Sequence, residues 1–142
     1  MNVIKHKVLK VCKKSRDASI SLSTKSNKQR NEALRVIASN ILKFKNKILN
    51  SNKKDCAIAK KNKIPSHLLD RLLLTETRII NIVNDIINIS KLHDPIGKEL
   101  SKTIRPNGLN IIKVSVPFGV IAVIFESRPN VACDVASLCI KS

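Results

Sequence analysis

Residues 116–125, Val-Pro-Phe-Gly-Val-Ile-Ala-Val-Ile-Phe, constrain this chain more than any other stretch. Eight of the ten are aliphatic or aromatic, and only Pro117 and Gly119 break the run. An apolar run without alternation predicts a strand covered on both faces, the kind found in parallel sheets with helices on each side. The polar residues Glu126, Ser127, Arg128, Pro129 and Asn130 then fall at its carboxyl end, where open α/β sheets bind ligands. Asn130 is placed to cap a helix running from Val131 to Cys139.

Upstream the pattern is helical. Val3, Ile4, Val8, Val11, Cys12, Ala18 and Leu22 recur at helix spacing with lysines between them, which predicts an amphipathic helix ending near Ser23-Thr24. A second helix is expected from Ser26-Asn27, with Leu34, Ile37, Ala38, Ile41, Leu42 and Ile48 on one side. Asn50-Ser51-Asn52 is read as a break before a short third helix from Asp55 to Lys61. Ser66 is placed to cap one or two turns through Leu73, and Thr75 to cap the next helix, with Glu76 favouring its dipole. That helix carries Ile79, Ile80, Ile82, Val83, Ile86, Ile87 and Ile89. So many β-branched residues lower intrinsic helicity, so tertiary burial has to hold it. Asn81, Asn84, Asp85 and Asn88 leave it one polar stripe.

Asp94-Pro95 ends the helix, because the residue before a proline is pushed out of the α region. Two short strands, Glu99 to Arg105 and Leu109 to Val114, flank Pro106-Asn107-Gly108, and Asn-Gly between extended segments is a hairpin signal. The chain thus divides into a basic amphipathic helical region (1–94), a β-hairpin arm (95–115) and a first βα unit (116–142).

The formal net charge of +17 raises the question of a polyanionic partner. It is concentrated in residues 1–63, which hold 18 Lys or Arg against 3 acids. Yet Lys, Ile and Asn together make up 54 of the 142 residues, and all three have A- and T-rich codons, so compositional drift accounts for the lysines without any ligand. Three Phe with no Tyr or Trp leave no aromatic platform for stacking bases. Nucleic acid is therefore not the expected partner. No apolar run reaches the length of a membrane span or a signal peptide, and a cytoplasmic, reducing compartment is expected. Cys12, Cys56, Cys133 and Cys139 form no C-x-x-C pair, no histidine lies at metal-ligand spacing, and a metal site is not expected. The isolated glycines Gly97, Gly108 and Gly119 make no phosphate loop.

The run from Gly119 to Ser142, GVIAVIFESRPNVACDVASLCIKS, closely resembles the strand, loop and helix of gamma-glutamyl phosphate reductases (glutamate-5-semialdehyde dehydrogenases), of the aldehyde dehydrogenase superfamily. Leu68-Leu69-Asp70-Arg71-Leu72 with Leu74-Thr75 and Arg78-Ile79, and Asp94-Pro95-Ile96-Gly97 leading to Asn107-Gly108-Leu109, are similar to two more blocks of that family. The resemblance covers nearly all of the chain but only about the first third of the family's length.

It implies an α/β fragment: N-terminal helices, a β-hairpin arm used for oligomerisation, then the first strand-loop-helix of an aldehyde-dehydrogenase-like doubly wound parallel sheet. It implies reduction of gamma-glutamyl phosphate to glutamate 5-semialdehyde with NADP(H), on the route to proline. In that chemistry a cysteine thiolate expels phosphate from the acyl carbon and hydride reduces the resulting thioester. The family's cysteine lies beyond Ser142, and neither Cys133 nor Cys139 matches its context. Asn130 is then the candidate hydrogen-bond donor to the developing oxyanion, with simple helix capping as its alternative. Arg128 is the candidate for the substrate's phosphate or carboxylate, against a role as one more surface cation. Phe125, Glu126 and Ser127 correspond to the segment facing the nicotinamide. Ala122 stands where relatives often have Gly, and Ser115 where a basic residue is common.

Three functions compete on this reading. The first is a truncated reductase, inactive alone; the second an enzyme half that works with a complementary C-terminal chain; the third a basic module for nucleic acid or another anionic surface. Self-association through the unpaired 116–125 run is the other partnership it implies. If the lysines are drift, binding to duplex or single-stranded nucleic acid will be weak and without sequence preference. It will fade steeply as salt is raised, because each phosphate contact releases a counterion. A fluorescence-anisotropy salt series checks this, and a preference surviving physiological salt would promote the third function.

Overall fold

The computed structural model describes residues 2–126 and 128–142; Ser127 lies outside the described residues. Helices α1 (Asn2–Ser23), α2 (Asn27–Lys43), α3 (Lys45–Lys61), α4 (Ser66–Leu72) and α5 (Glu76–Lys91) precede strands β1 (Glu99–Ile104) and β2 (Asn110–Val114), and α6 (Pro129–Lys141) follows. None of these helices is long and apolar enough to cross a membrane.

The core is a seam between α2 and α5, where Leu34 and Ala38 meet Ile82, Val83 and Ile86. Cys133 and Ile140 of α6 pack against it from one side. This burial holds α5 helical despite its β-branched residues, and the exposed Asn81, Asn84, Asp85 and Asn88 form the expected polar stripe. Ser26 caps α2 in a reciprocal box: Gln29 N–H donates to Ser26 Oγ at 3.3 Å, and Ser26 N–H donates to Gln29 Oε1 at 2.9 Å. Thr75 Oγ1 caps α5 by accepting from Arg78 N–H at 3.1 Å.

Three local expectations are corrected. Asn50-Ser51-Asn52 does not interrupt the chain; α3 runs through it, and the break sits at Phe44, which places Ile48 on α3 rather than α2. The reason is tertiary. Asn52 is buried, its Nδ2 donating to Leu72 O at 2.8 Å and its Oδ1 accepting from Leu74 N–H at 2.7 Å, so its side chain serves the α4–α5 connection instead of competing with its own backbone. Ser66 lies inside α4, and Pro65 takes the cap position. Asn130 is not the cap of α6 either: Arg128 holds that place, Pro129 opens the helix, and Asn130 lies in the first turn. Helix α1 does not join the core. Only its last turns approach it, and Ile4, Val8 and Val11 stay exposed.

β1 and β2 pair antiparallel, Thr103 opposite Ile111 and Ile104 opposite Asn110. Of the Asn-Gly pair only Gly108 takes positive φ, at 82°, and Leu109 N–H donates to Asn107 Oδ1 at 3.1 Å. Ser115 closes the base of the ribbon, its N–H donating to Lys98 O at 3.0 Å and its Oγ accepting from Lys98 N–H at 2.9 Å. Both strands are exposed along their whole length, so the hairpin projects as an arm.

The order helices, hairpin, apolar run, helix therefore follows the sequence reading, with one difference in state. Residues 116–125 adopt no strand hydrogen bonding, and Val116, Phe118 and Ile124 are 73%, 85% and 102% exposed. A strand needs a neighbour to receive its backbone groups, and none of the described residues provides one. The helix beyond it does find a home. Lys141, at the end of α6, is buried, and its Nζ donates to Asn27 Oδ1 at 3.0 Å and Asn31 Oδ1 at 2.7 Å. Beside it Arg30 is buried too, pairing with Asp94 at 2.6 Å.

Amide hydrogen exchange in a dilute monomer should be fast across Val120 to Phe125 and slow around Ile82 to Ile86; protection of Val120 to Phe125 would mean that the run has found a partner within the chain. Burial is also the main influence lowering the Lys141 pKa below its ordinary 10.5. The unfolded chain then binds that proton more tightly, so stability rises with pH through the window between the lowered value and 10.5. Urea midpoints should show the native chain gaining on a Lys141→Gln variant as pH is raised through the alkaline range. A pH-independent difference would contradict the burial of that charge.

Candidate functional site

The first turn of α6, the end of α4 and the polar stripe of α5 enclose a cleft of about 320 Å³. Arg128 and Asn130 form one wall, and Asp70, Arg71, Asn81 and Asp85 face them across it. Two sequence blocks some fifty residues apart in the chain thereby share one cavity. The apolar seam explains how. Cys133 and Ile140 hold α6 against the core, which brings the start of α6 beside the exposed stripe of α5.

Arg78 lines the cleft and ties its edges together. Its Nη1 donates to Leu73 O at 2.7 Å and to Asp70 O, and its Nη2 donates to Asp70 Oδ1 at 3.0 Å, so one guanidinium ties the end of α4 to the start of α5. Asp70 is neutralised by the same contact. Arg71, Asp85 and Arg128 form no ion pair among the described residues. Asn130 is half-buried, its Nδ2 donating to Asp134 Oδ2 at 3.1 Å. It therefore carries a donor at the mouth of the cleft, held by a neighbour one helical turn on.

Of the residues singled out from sequence, the structure brings together Arg128 and Asn130. Phe125 and Glu126 are exposed on the unpaired run and line none of this cleft, and Ser127 lies outside the described residues. Asp70, Arg71, Asn81 and Asp85 were not assigned roles from sequence. Their signal was present in part: Asp70 and Arg71 belong to one of the blocks that carried the family resemblance, and Asn81 and Asp85 stand four apart on the polar face of a helix otherwise full of isoleucine.

Cys133, on α6, is poorly suited to act as a nucleophile. Burial, with the Asp134 carboxylate behind it, pushes the Cys133 thiol up, which reduces its thiolate at neutral pH. A nicotinamide cofactor finds little to hold it. Gly97, Gly108 and Gly119 occupy separate turns with open space around each, so no glycine-rich cradle gathers for a diphosphate. The described residues do not by themselves fit such a cofactor.

No family model matches the chain. Curated relatives do: gamma-glutamyl phosphate reductase of Carboxydothermus hydrogenoformans is 44% identical over 135 residues, covering 95% of this chain and 32% of its own length. That of Pasteurella multocida is 44% identical over 130 residues, covering 92% and 31%. Among solved structures, gamma-glutamyl phosphate reductase of Thermotoga maritima superposes with a TM-score of 0.91 at 33% identity, over 94% of this chain and 32% of that one. The Saccharomyces cerevisiae enzyme gives 0.89 at 34% identity, over 94% and 34%. Nearly all of this chain is thus homologous to a part of those proteins, and it spans about a third of their length.

Proposed function

We propose, from the premise that these residues are homologous to about one third of a gamma-glutamyl phosphate reductase, that the chain carries the non-nucleophilic wall of that enzyme's substrate site. The reaction is reduction of an acyl phosphate to an aldehyde, for which a nicotinamide cofactor supplies hydride when the site is complete. The 142 residues contribute positioning and charge, and turnover requires the remaining two thirds.

The observation that supports this reading is the convergence of Arg128 and Asn130 on one cleft. Attack on an acyl phosphate places negative charge on the former carbonyl oxygen, and a fixed N–H donor stabilises it by about 2.7–4 kcal/mol. Asn130 Nδ2 serves that purpose once it exchanges Asp134 for the oxyanion. The Arg128 guanidinium, exposed and without an ion pair among the described residues, matches the leaving phosphate, which it can hold through two parallel N–H bonds. Phe125, Glu126 and Ser127 would form the side toward the nicotinamide after residues 116–125 have been received into a sheet.

A polypeptide of these 142 residues alone should show no oxidation of glutamate 5-semialdehyde, followed at the NADPH absorbance band with NADP and phosphate present. Mixed with a separately produced segment covering the other two thirds of a relative, it should gain turnover. Asn130→Ala should then lower kcat about a hundredfold or more. Activity of the lone chain, or a mixture indifferent to Asn130, would overturn the proposal.

A further inference from the structure

Two extended surfaces of this chain stand open to a partner, and they differ in how they are protected. The hairpin carries charge on both strands, Glu99 and Lys102 on β1 and Lys113 on β2, which discourages pairing with another edge. The apolar run has no such guard: no charged residue falls between Val114 and Phe125, in a chain that is 26% charged. The part of it that can pair is Val120 to Phe125. Pro117 has no N–H to give, and Gly119 takes a φ of 86°, a left-handed turn that an extended strand does not contain. The residues beyond, Val-Ile-Ala-Val-Ile-Phe, are rich in β-branched side chains, hold no proline, glycine or charge, and have no strand beside them among the described residues.

We propose that Val120 to Phe125 is a docking strand for a second copy of this chain, the two segments pairing antiparallel about a two-fold axis. Antiparallel pairing of identical strands places one residue opposite itself, and at greatest overlap that residue is Ala122 or Val123. Each strand then meets only apolar side chains across the ladder, because its partner has the same sequence. The backbone edge supplies the hydrogen bonds, as in other cases of strand addition. A two-stranded ribbon is marginal by itself and needs a helix to pack on. Ile121 provides that contact, since it lines a small cavity with Leu22 of α1 and Ile140 of α6. Charge favours this surface over the exposed stripe of α1, where Ile4, Val8 and Val11 alternate with Lys5, Lys7 and Lys10 and a second copy would bring lysine to lysine. Residues 64–142, which contain the run, hold 9 Lys or Arg against 7 acids. The charge of +17 on each whole chain still opposes association, and salt screens that repulsion. Self-pairing therefore strengthens with salt, the opposite of polyanion binding. A backbone edge occupied in this way is closed to any larger sheet. The inference is independent of the acyl-phosphate reading.

Sedimentation equilibrium of the purified 142-residue chain, run as a concentration series at low and raised sodium chloride, tests this. The mass should rise from monomer toward dimer with concentration, and at lower concentration when salt is raised. Amide exchange across Val120 to Phe125 should slow over the same concentration range, while that of β1 and β2 stays unchanged. Ile124 is fully exposed, so Ile124→Lys should leave the helical circular dichroism intact. It should weaken dimerisation about tenfold or more, because the added charge enters the ladder twice. A monomer at every concentration and salt, association that salt weakens, association indifferent to Ile124→Lys, or protection gained outside Val120 to Phe125 would overturn the proposal. The exchange series on the native chain locates the interface without relying on the variant.

Discussion

The packing of α2 on α5 is the contact on which the rest of this structure depends. Leu34 and Ile86 are wholly buried in it, with Ala38, Ile82 and Val83 around them. Burial of each large aliphatic side chain contributes about 1.5–3 kcal/mol, enough to offset the weak helix propensity of an isoleucine-rich segment. Once α5 is fixed, its outward face is fixed as well, and that face supplies Asn81 and Asp85 to the cleft. Helix α6 gains its position from the same seam through Cys133 and Ile140. The site is therefore a consequence of core packing and depends on it more than on any loop conformation.

Polar groups set the alignment that apolar contact leaves loose. Asn52 bridges α3 to the α4–α5 connection, Arg30 ties α2 to the start of the hairpin arm through Asp94, and Lys141 joins the end of α6 to the first turn of α2. The energetic yield of such buried charges is small, because desolvation opposes the attraction. Their effect is specificity, since a displaced helix would leave an ammonium or guanidinium buried without acceptors. Arg30 shows how close this balance runs: its Nε is buried with no partner among the described residues.

A packed helical base thus coexists with a ten-residue apolar run that is almost entirely exposed. The two halves of that contrast share one cause. Helices α2, α5 and α6 find their partners within these 142 residues, whereas a central parallel strand requires neighbours on both edges. This chain spans about a third of the length of the reductases it is homologous to, and among its described residues no strand lies beside residues 116–125.

How much of this was legible beforehand follows the range of the interactions involved. The sequence by itself determined the helix periodicity of α2 and α5, the Ser26 and Thr75 caps, the Asn-Gly hairpin and the family resemblance, because each is written within a few residues by side-chain spacing and backbone preference. Local rules misplaced the breaks at Asn50–Asn52, Ser66 and Asn130, where a partner distant in the chain, or a neighbouring proline, outweighed the residue's own preference. Only the tertiary structure decided that Asn52 is a bridge, that α1 stands apart from the core, and that Arg71 and Asp85 face Arg128 and Asn130. Their positions in the chain carry no distance information until α2, α5 and α6 have packed. Strand formation at 116–125 sits between the two: the apolar pattern is local, but a strand is a property of a pair, and the hydrogen bonds that define it belong to both members.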